Sequence, residues 1–140
     1  MIAPSRPGVR RIYAVPCATL SPNLMLTAIC GGAYAMFRRD LTPVPYAGKP
    51  TFTRDGSLLN GSRAQKTVLE FQSDYIVPEG VRMAFVVELV NGKVWLVGSR
   101  EPNYPIVEYR DTSGDPSGDP AVRTYTVTHT DIRSGIPVIL

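Results

Sequence analysis

The chain has 140 residues, 44% hydrophobic and 19% charged, with a net charge of +3 and a pI near 9.0. This length and balance suit one folded domain with a real core and exclude wholesale disorder. The basic residues are scattered apart from the doublets Arg10-Arg11 and Arg38-Arg39. The dense basic patch with interleaved aromatics that marks a sequence-specific nucleic-acid binder is missing.

Thirteen prolines and twelve glycines favour turns and extended segments over long helices. Cys17 and Cys30 form no CxxC pair and His129 is the sole histidine. Neither a disulfide framework nor a metal site is therefore expected, and both cysteines read as small buried apolar residues. No uninterrupted apolar run reaches the roughly 18 residues of a membrane span. Arg10-Arg11 followed by IYAVPCATL and LMLTAICGG has the outline of a secretory leader. Pro16, Pro22 and Asn23 interrupt it, and Ile29 before Cys30 is a poor cleavage neighbour, so the chain is expected to stay where it is made.

In chain order, residues 1–8 (MIAPSRPG) read as a proline-rich N-terminal arm and 9–17 as a strand. Leu24, Met25, Leu26, Ala28 and Ile29 fit either a short helix or a buried strand. AYAMFRR reads as a strand with Tyr34, Met36 and Arg38 on one face. The segment 41–50 holds three prolines, which confines it to a loop or a sheet edge. Asp55-Gly56 is a candidate hairpin turn and Asn60-Gly61 a loop start. Residues 66–73 alternate as a strand, with Thr67, Leu69 and Phe71 on one side.

Residues 83–99 carry the strongest local signal, two apolar runs around Asn91-Gly92. A two-residue turn there places Leu89 opposite Val94, Glu88 opposite Trp95 and Val87 opposite Leu96. Phe85, Val87, Leu89, Val94 and Leu96 then form a core face. Trp95 falls on a mixed face with Glu88 and Lys93, which are near enough to pair, and needs cover from its own chain or from another subunit.

Residues 101–111 are proline-punctuated and then extended. Residues 121–131 alternate cleanly, with Val122, Thr124, Thr126, Thr128 and Thr130 against Arg123, Tyr125, Val127, His129 and Asp131. The threonine face suits solvent or an interface. Between the two runs lies SGDPSGDP: Ser113, Gly114, Asp115, Pro116, Ser117, Gly118, Asp119 and Pro120. Asp111, Asp115 and Asp119 recur every fourth residue, without the every-second-residue ligands and closing Glu of a calcium loop. The repeat reads as the tip (111–120) of a long hairpin, either a docking arm or an idle surface loop. SGIPVIL then brings apolar residues that should dock in a sheet or on a neighbour.

No GxSxG elbow and no phosphate-cradling glycine loop is present, and the acidic residues Glu70, Asp74, Glu79, Glu88, Glu101 and Glu108 are dispersed. His129 reads as a strand residue packed beside Tyr or Arg. The expected fold is all-β: an antiparallel sandwich or barrel of six to nine strands, in one domain spanning 1–140, with at most one short helix near 22–30. No catalytic residue, cofactor or metal is assigned.

MAFVVELVNGKVWLVGSREPNYPIVEY, then SGDPSGDPAVRTYTVTH and a short apolar finish, resembles small virion structural proteins of tailed bacteriophages and prophages of gut Bacteroidetes. The resemblance covers about 67–140. It implies a non-enzymatic assembly subunit of a neck, head–tail connector or tail, made in the bacterial cytoplasm and built into the virion with copies of itself and other virion proteins. Self-association is expected through the 111–120 tip (residues 113–120 above all), the N-terminal arm or the mixed face around Trp95. The alternatives are a small β-sandwich module for carbohydrate or protein ligands, using Tyr104, Tyr109, Tyr125 and Trp95, and a hydrolase whose site is assembled from scattered residues.

Overall fold

The computed structural model describes residues 8–59, 62–78, 80–100, 103–112, 122–131 and 134–140. Ten strands are present among them: β1 (Val9–Pro16), β2 (Tyr34–Ala35), β3 (Thr42–Val44), β4 (Ala47–Leu59), β5 (Ser62–Ser73), β6 (Met83–Leu89), β7 (Val94–Val97), β8 (Ile106–Thr112), β9 (Val122–Asp131) and β10 (Ile136–Ile139). The single α-helix among the described residues, α1, spans Leu24–Ile29. The fold is an all-β sandwich. One sheet runs β2-β10-β7-β6-β1-β3 and the other β4-β5-β9-β8. No described helix is long and apolar enough to cross a membrane.

The expected six to nine strands fall short because β2, β3 and β10 are only two to four residues long. Two of them, β3 and β10, contain a proline, which the sequence pattern scores as loop. β3 sits at a sheet edge, as its proline requires. AYAMFRR is strand only at Tyr34–Ala35; Arg38–Asp40 is a 3-10 turn. Asp55-Gly56 is no turn. It lies within β4, opposite Lys66 and Gln65 of β5. Asn60-Gly61 falls outside the described residues, between Leu59 and the Ser62 that opposes it.

The β6–β7 hairpin forms, but one residue out of the expected register. Leu89 N–H donates to the Lys93 carbonyl at 2.8 Å and Gly92 N–H to the Leu89 carbonyl at 3.0 Å. The loop is therefore Val90-Asn91-Gly92, with Gly92 at φ 89° supplying the left-handed residue that a three-residue hairpin requires. Val87 opposes Trp95 and Glu88 opposes Val94. A one-residue slip exchanges the faces. Phe85, Val87, Trp95 and Val97 share one face, and Val86, Glu88, Val94 and Leu96 the other.

Both faces are covered, which explains why Met83–Glu88 are all buried. On one side Ile12, Ala14, Phe85 and Val87 pack on Leu69, Phe71, Tyr125 and Val127 of the four-stranded sheet. On the other, Tyr13, Val15, Val86, Leu96 and Ile136 pack under Cys17, Leu20, Leu24 and Leu41 from the segment around α1. The six-stranded sheet is thus the middle of three layers. Ile136 and Val138 dock in it, with β10 antiparallel to β7 and parallel to β2. Cys17 is buried as expected, and burial pushes its thiol pKa up. Cys30 is exposed, just past α1, so its expected burial is corrected. The two cysteines are free.

Candidate functional site

The pairing predicted around the SGDP repeat is present. β8 and β9 align antiparallel from Ile106 opposite Thr128 to Thr112 opposite Val122. Residues 113–120 themselves, and 1–7 of the N-terminal arm, lie outside the described residues. The hairpin's described end is tied by Arg123, whose Nε and second terminal nitrogen donate to the two carboxylate oxygens of Asp111 at 2.6 and 3.0 Å. These charge-assisted bonds hold the Asp111 carboxyl below its usual range and raise the arginine. The same guanidinium lies 4.2 Å over the Tyr109 ring.

Below this end is an open cleft of about 400 Å³ walled by Ile76, Val81, Val107, Tyr109 and Tyr125. Its position follows from one buried tyrosine. Tyr125 alternates inward on β9, is 1% exposed and stacks on Phe71 at 5.4 Å. Its hydroxyl donates to the Tyr75 carbonyl at 2.6 Å and accepts from Val77 N–H at 3.3 Å. That pins the connection between β5 and β6 beside β8. Ile76, Val81 and Tyr109 are nonetheless 72%, 48% and 58% exposed. This exposed apolar wall beside a cleft makes the region the candidate site. From the sequence, Tyr109 is legible only as a candidate ligand aromatic on an extended segment. Ile76 and Val81 lie in a connection with no period at all.

Trp95 is half-buried, and it faces the opposite sheet rather than the mixed face assigned to it. The Arg54 guanidinium of β4 lies 4.0 Å over its ring. Of Trp95 and residues 113–120, expected to make contacts, Trp95 alone lies among the described residues. Glu88 is not paired with Lys93. Its carboxylate, 9% exposed, takes Arg38 at 3.3 Å, and Arg38 also donates to the Tyr13 hydroxyl at 2.9 Å.

His129 is fully buried, and its neighbours are hydroxyls and carbonyls rather than the expected Tyr or Arg. Nε2 lies 3.1 Å from the Asn103 carbonyl, which can only accept, so that nitrogen carries the proton. Nδ1 then accepts from the Ser134 hydroxyl at 2.8 Å, and Thr67 lies 2.6 Å from the same oxygen. Asp131 stands 3.9 Å from Nε2. The spacing is that of a nucleophile and its base. Ser134, however, is 1% exposed, and its oxygen is hemmed by Thr67, by Nδ1 and by the His129 carbonyl at 3.0 Å. The cluster fastens the 134–136 segment to the four-stranded sheet. Burial lowers the His129 pKa, against smaller upward pulls from the Asn103 carbonyl and Asp131. No group of three or more potential metal ligands occurs among the described residues.

No family model, curated protein or solved structure matches this chain.

Proposed function

We propose that this chain is a non-enzymatic assembly subunit, a virion component of the neck, connector or tail of a tailed phage or prophage, that makes contacts with copies of itself and with other virion proteins. The observation that carries the reading is the exposed apolar wall of Ile76, Val81 and Tyr109 at the base of the β8–β9 hairpin. Contiguous exposed apolar surface of this kind is usually covered by a partner. The resemblance of residues 67–140 supplies the virion setting, with synthesis in the bacterial cytoplasm. The 113–120 repeat, carried at the end of the same hairpin, fits a docking arm.

A carbohydrate-binding sandwich is less well supported. Such a module presents a platform of exposed aromatics. Of its four candidates, Tyr125 is buried, Trp95 and Tyr104 are partly buried with Arg54 and Arg82 over their rings, and Tyr109, the one exposed ring of the four, carries Arg123 over it.

Light scattering across a concentration series tests the proposal. Self-association, weakened by deleting 113–120, is expected. A strict monomer at high concentration, unchanged by that deletion, would sink it.

A further inference from the structure

Four strand edges border the two sheets, and three of them are blunted. β2 and β3 are two and three residues long, and β3 contains Pro43. β4 is long but carries Pro50 and an irregular register between Ala47 and Thr51. Short length, proline and bulges are the backbone devices by which sheets avoid pairing with other chains, and charged side chains are another. β8 has none of the backbone devices, and its charges, Glu108, Arg110 and Asp111, are of both signs, so they can pair as well as repel. Its seven residues, Ile106–Thr112, pair in unbroken register with β9, and among the described residues nothing pairs with the other edge. From Glu108 to Asp111 every residue is exposed.

We infer that β8 is a two-fold contact, pairing antiparallel with β8 of a second copy about Tyr109. This rests on the assembly reading above and specifies its surface. The occupant follows from charge complementarity. Centred on Tyr109, the strand meets itself with Glu108 opposite Arg110 of the second copy, twice by symmetry. Neither residue has an ion-pair partner among the described residues. Centring on Glu108 would face two carboxylates, and centring on Arg110 two guanidinia. A register with an odd offset would set the inner face of one copy beside the outer face of the other. One register alone matches charge and face together, and in it all seven residues of β8 oppose all seven of its copy.

The inner face agrees. Tyr109 of each copy meets its equivalent, and the apolar wall of Ile76 and Val81 in each copy continues into that of the other. The two four-stranded sheets become one sheet of eight, twice the four strands of one copy. The contact is isologous, so it closes after two copies. A ring or tube needs a second, different contact, which leaves the 113–120 repeat available for that role.

Sedimentation equilibrium on the full chain is the test, with Glu108→Arg, Arg110→Glu and the double exchange. Each single change opposes like charges at both symmetric positions and should weaken self-association by on the order of tenfold or more. The double exchange should restore it. A second readout is Tyr109→Cys in a Cys30→Ser background. Directly opposed residues lie about 4.5–5.5 Å apart between α-carbons, within disulfide reach, so mild oxidation should give a covalent dimer. Association that neither single change weakens, or that yields no cross-link through position 109, overturns the β8 contact and leaves the assembly reading intact. A strictly monomeric wild type overturns both.

Discussion

The Arg54 guanidinium lies 4.0 Å above the centre of the Trp95 ring, joining β4 of one sheet to β7 of the other. Trp95 is the only tryptophan, so its fluorescence reports the fit between the sheets. Arg54→Ala should shift its emission to the red and lower stability by about 0.5–1 kcal/mol, the usual size of such a contact near a surface. An unshifted spectrum would mean that something other than Arg54 shields the indole.

Gly135 backs this contact. Its φ is +66°, and a Cβ there would stand 2.5 Å from Arg54 Nε and 2.8 Å from the Thr67 methyl. Gly135→Ala should destabilise by about 1–3 kcal/mol through overpacking and backbone strain. It should also reproduce the red shift by displacing Arg54. Gly56→Ala, with nothing within 4 Å of the added methyl, is the control and should be neutral or slightly stabilising. Urea unfolding followed at Trp95 compares the two.

The register of the β6–β7 hairpin separates Leu96 from Leu89. Leu96 is fully buried, and Leu89 only partly. Leu96→Ala should cost about 2–5 kcal/mol and Leu89→Ala about 1–2 kcal/mol. Equal losses in chemical denaturation would favour the two-residue turn over the observed loop.

Buried His129 makes stability depend on pH. Its folded-state pKa is depressed by desolvation, so the folded protein resists the proton that the unfolded chain accepts near about 6.5. Its contribution is fully present above that value. It is lost as pH falls below it, and the loss is complete once pH passes the folded value. Asp111, also depressed, acts in a lower window, below its usual value of 3.8. Denaturation midpoints should therefore fall between about pH 6.5 and 5 in the wild type and stay flat in His129→Asn. A wild-type midpoint constant over that range would show that the Ser134 and Asn103 contacts survive protonation.

Much of the fold was readable where side-chain alternation acts alone. Thr67, Leu69 and Phe71 of β5 and Tyr125, Val127 and His129 of β9 point inward as period two demands. The signal failed where the physics is not periodic. β6 is buried on both faces, Glu88 included, so neither face meets solvent as alternation implies, and the register depended on whether Val90 belongs to the turn. Asp55-Gly56 has turn chemistry but is held straight by the run of pairings with β5. At the candidate site, Tyr109 was legible only as an aromatic on an extended segment. The exposure of Ile76 and Val81 was not, because it depends on the hydroxyl of Tyr125 reaching Tyr75, 50 positions away in the chain.

The strand order also governs how this chain reaches its native state. β1 lies beside β6, and β5 waits for β9 before its second edge is filled. β7 likewise has β10 as its second neighbour. Each sheet is stitched from segments far apart in sequence, and early collapse can complete neither. Loop-closure entropy must be met before these pairings return any stability, which places folding in the millisecond-to-second regime of high contact order. During that interval Val68–Phe71 and Ala84–Val87 are bare strand segments in a crowded cell. Strand edges left unpaired in that window are templates for pairing with other chains.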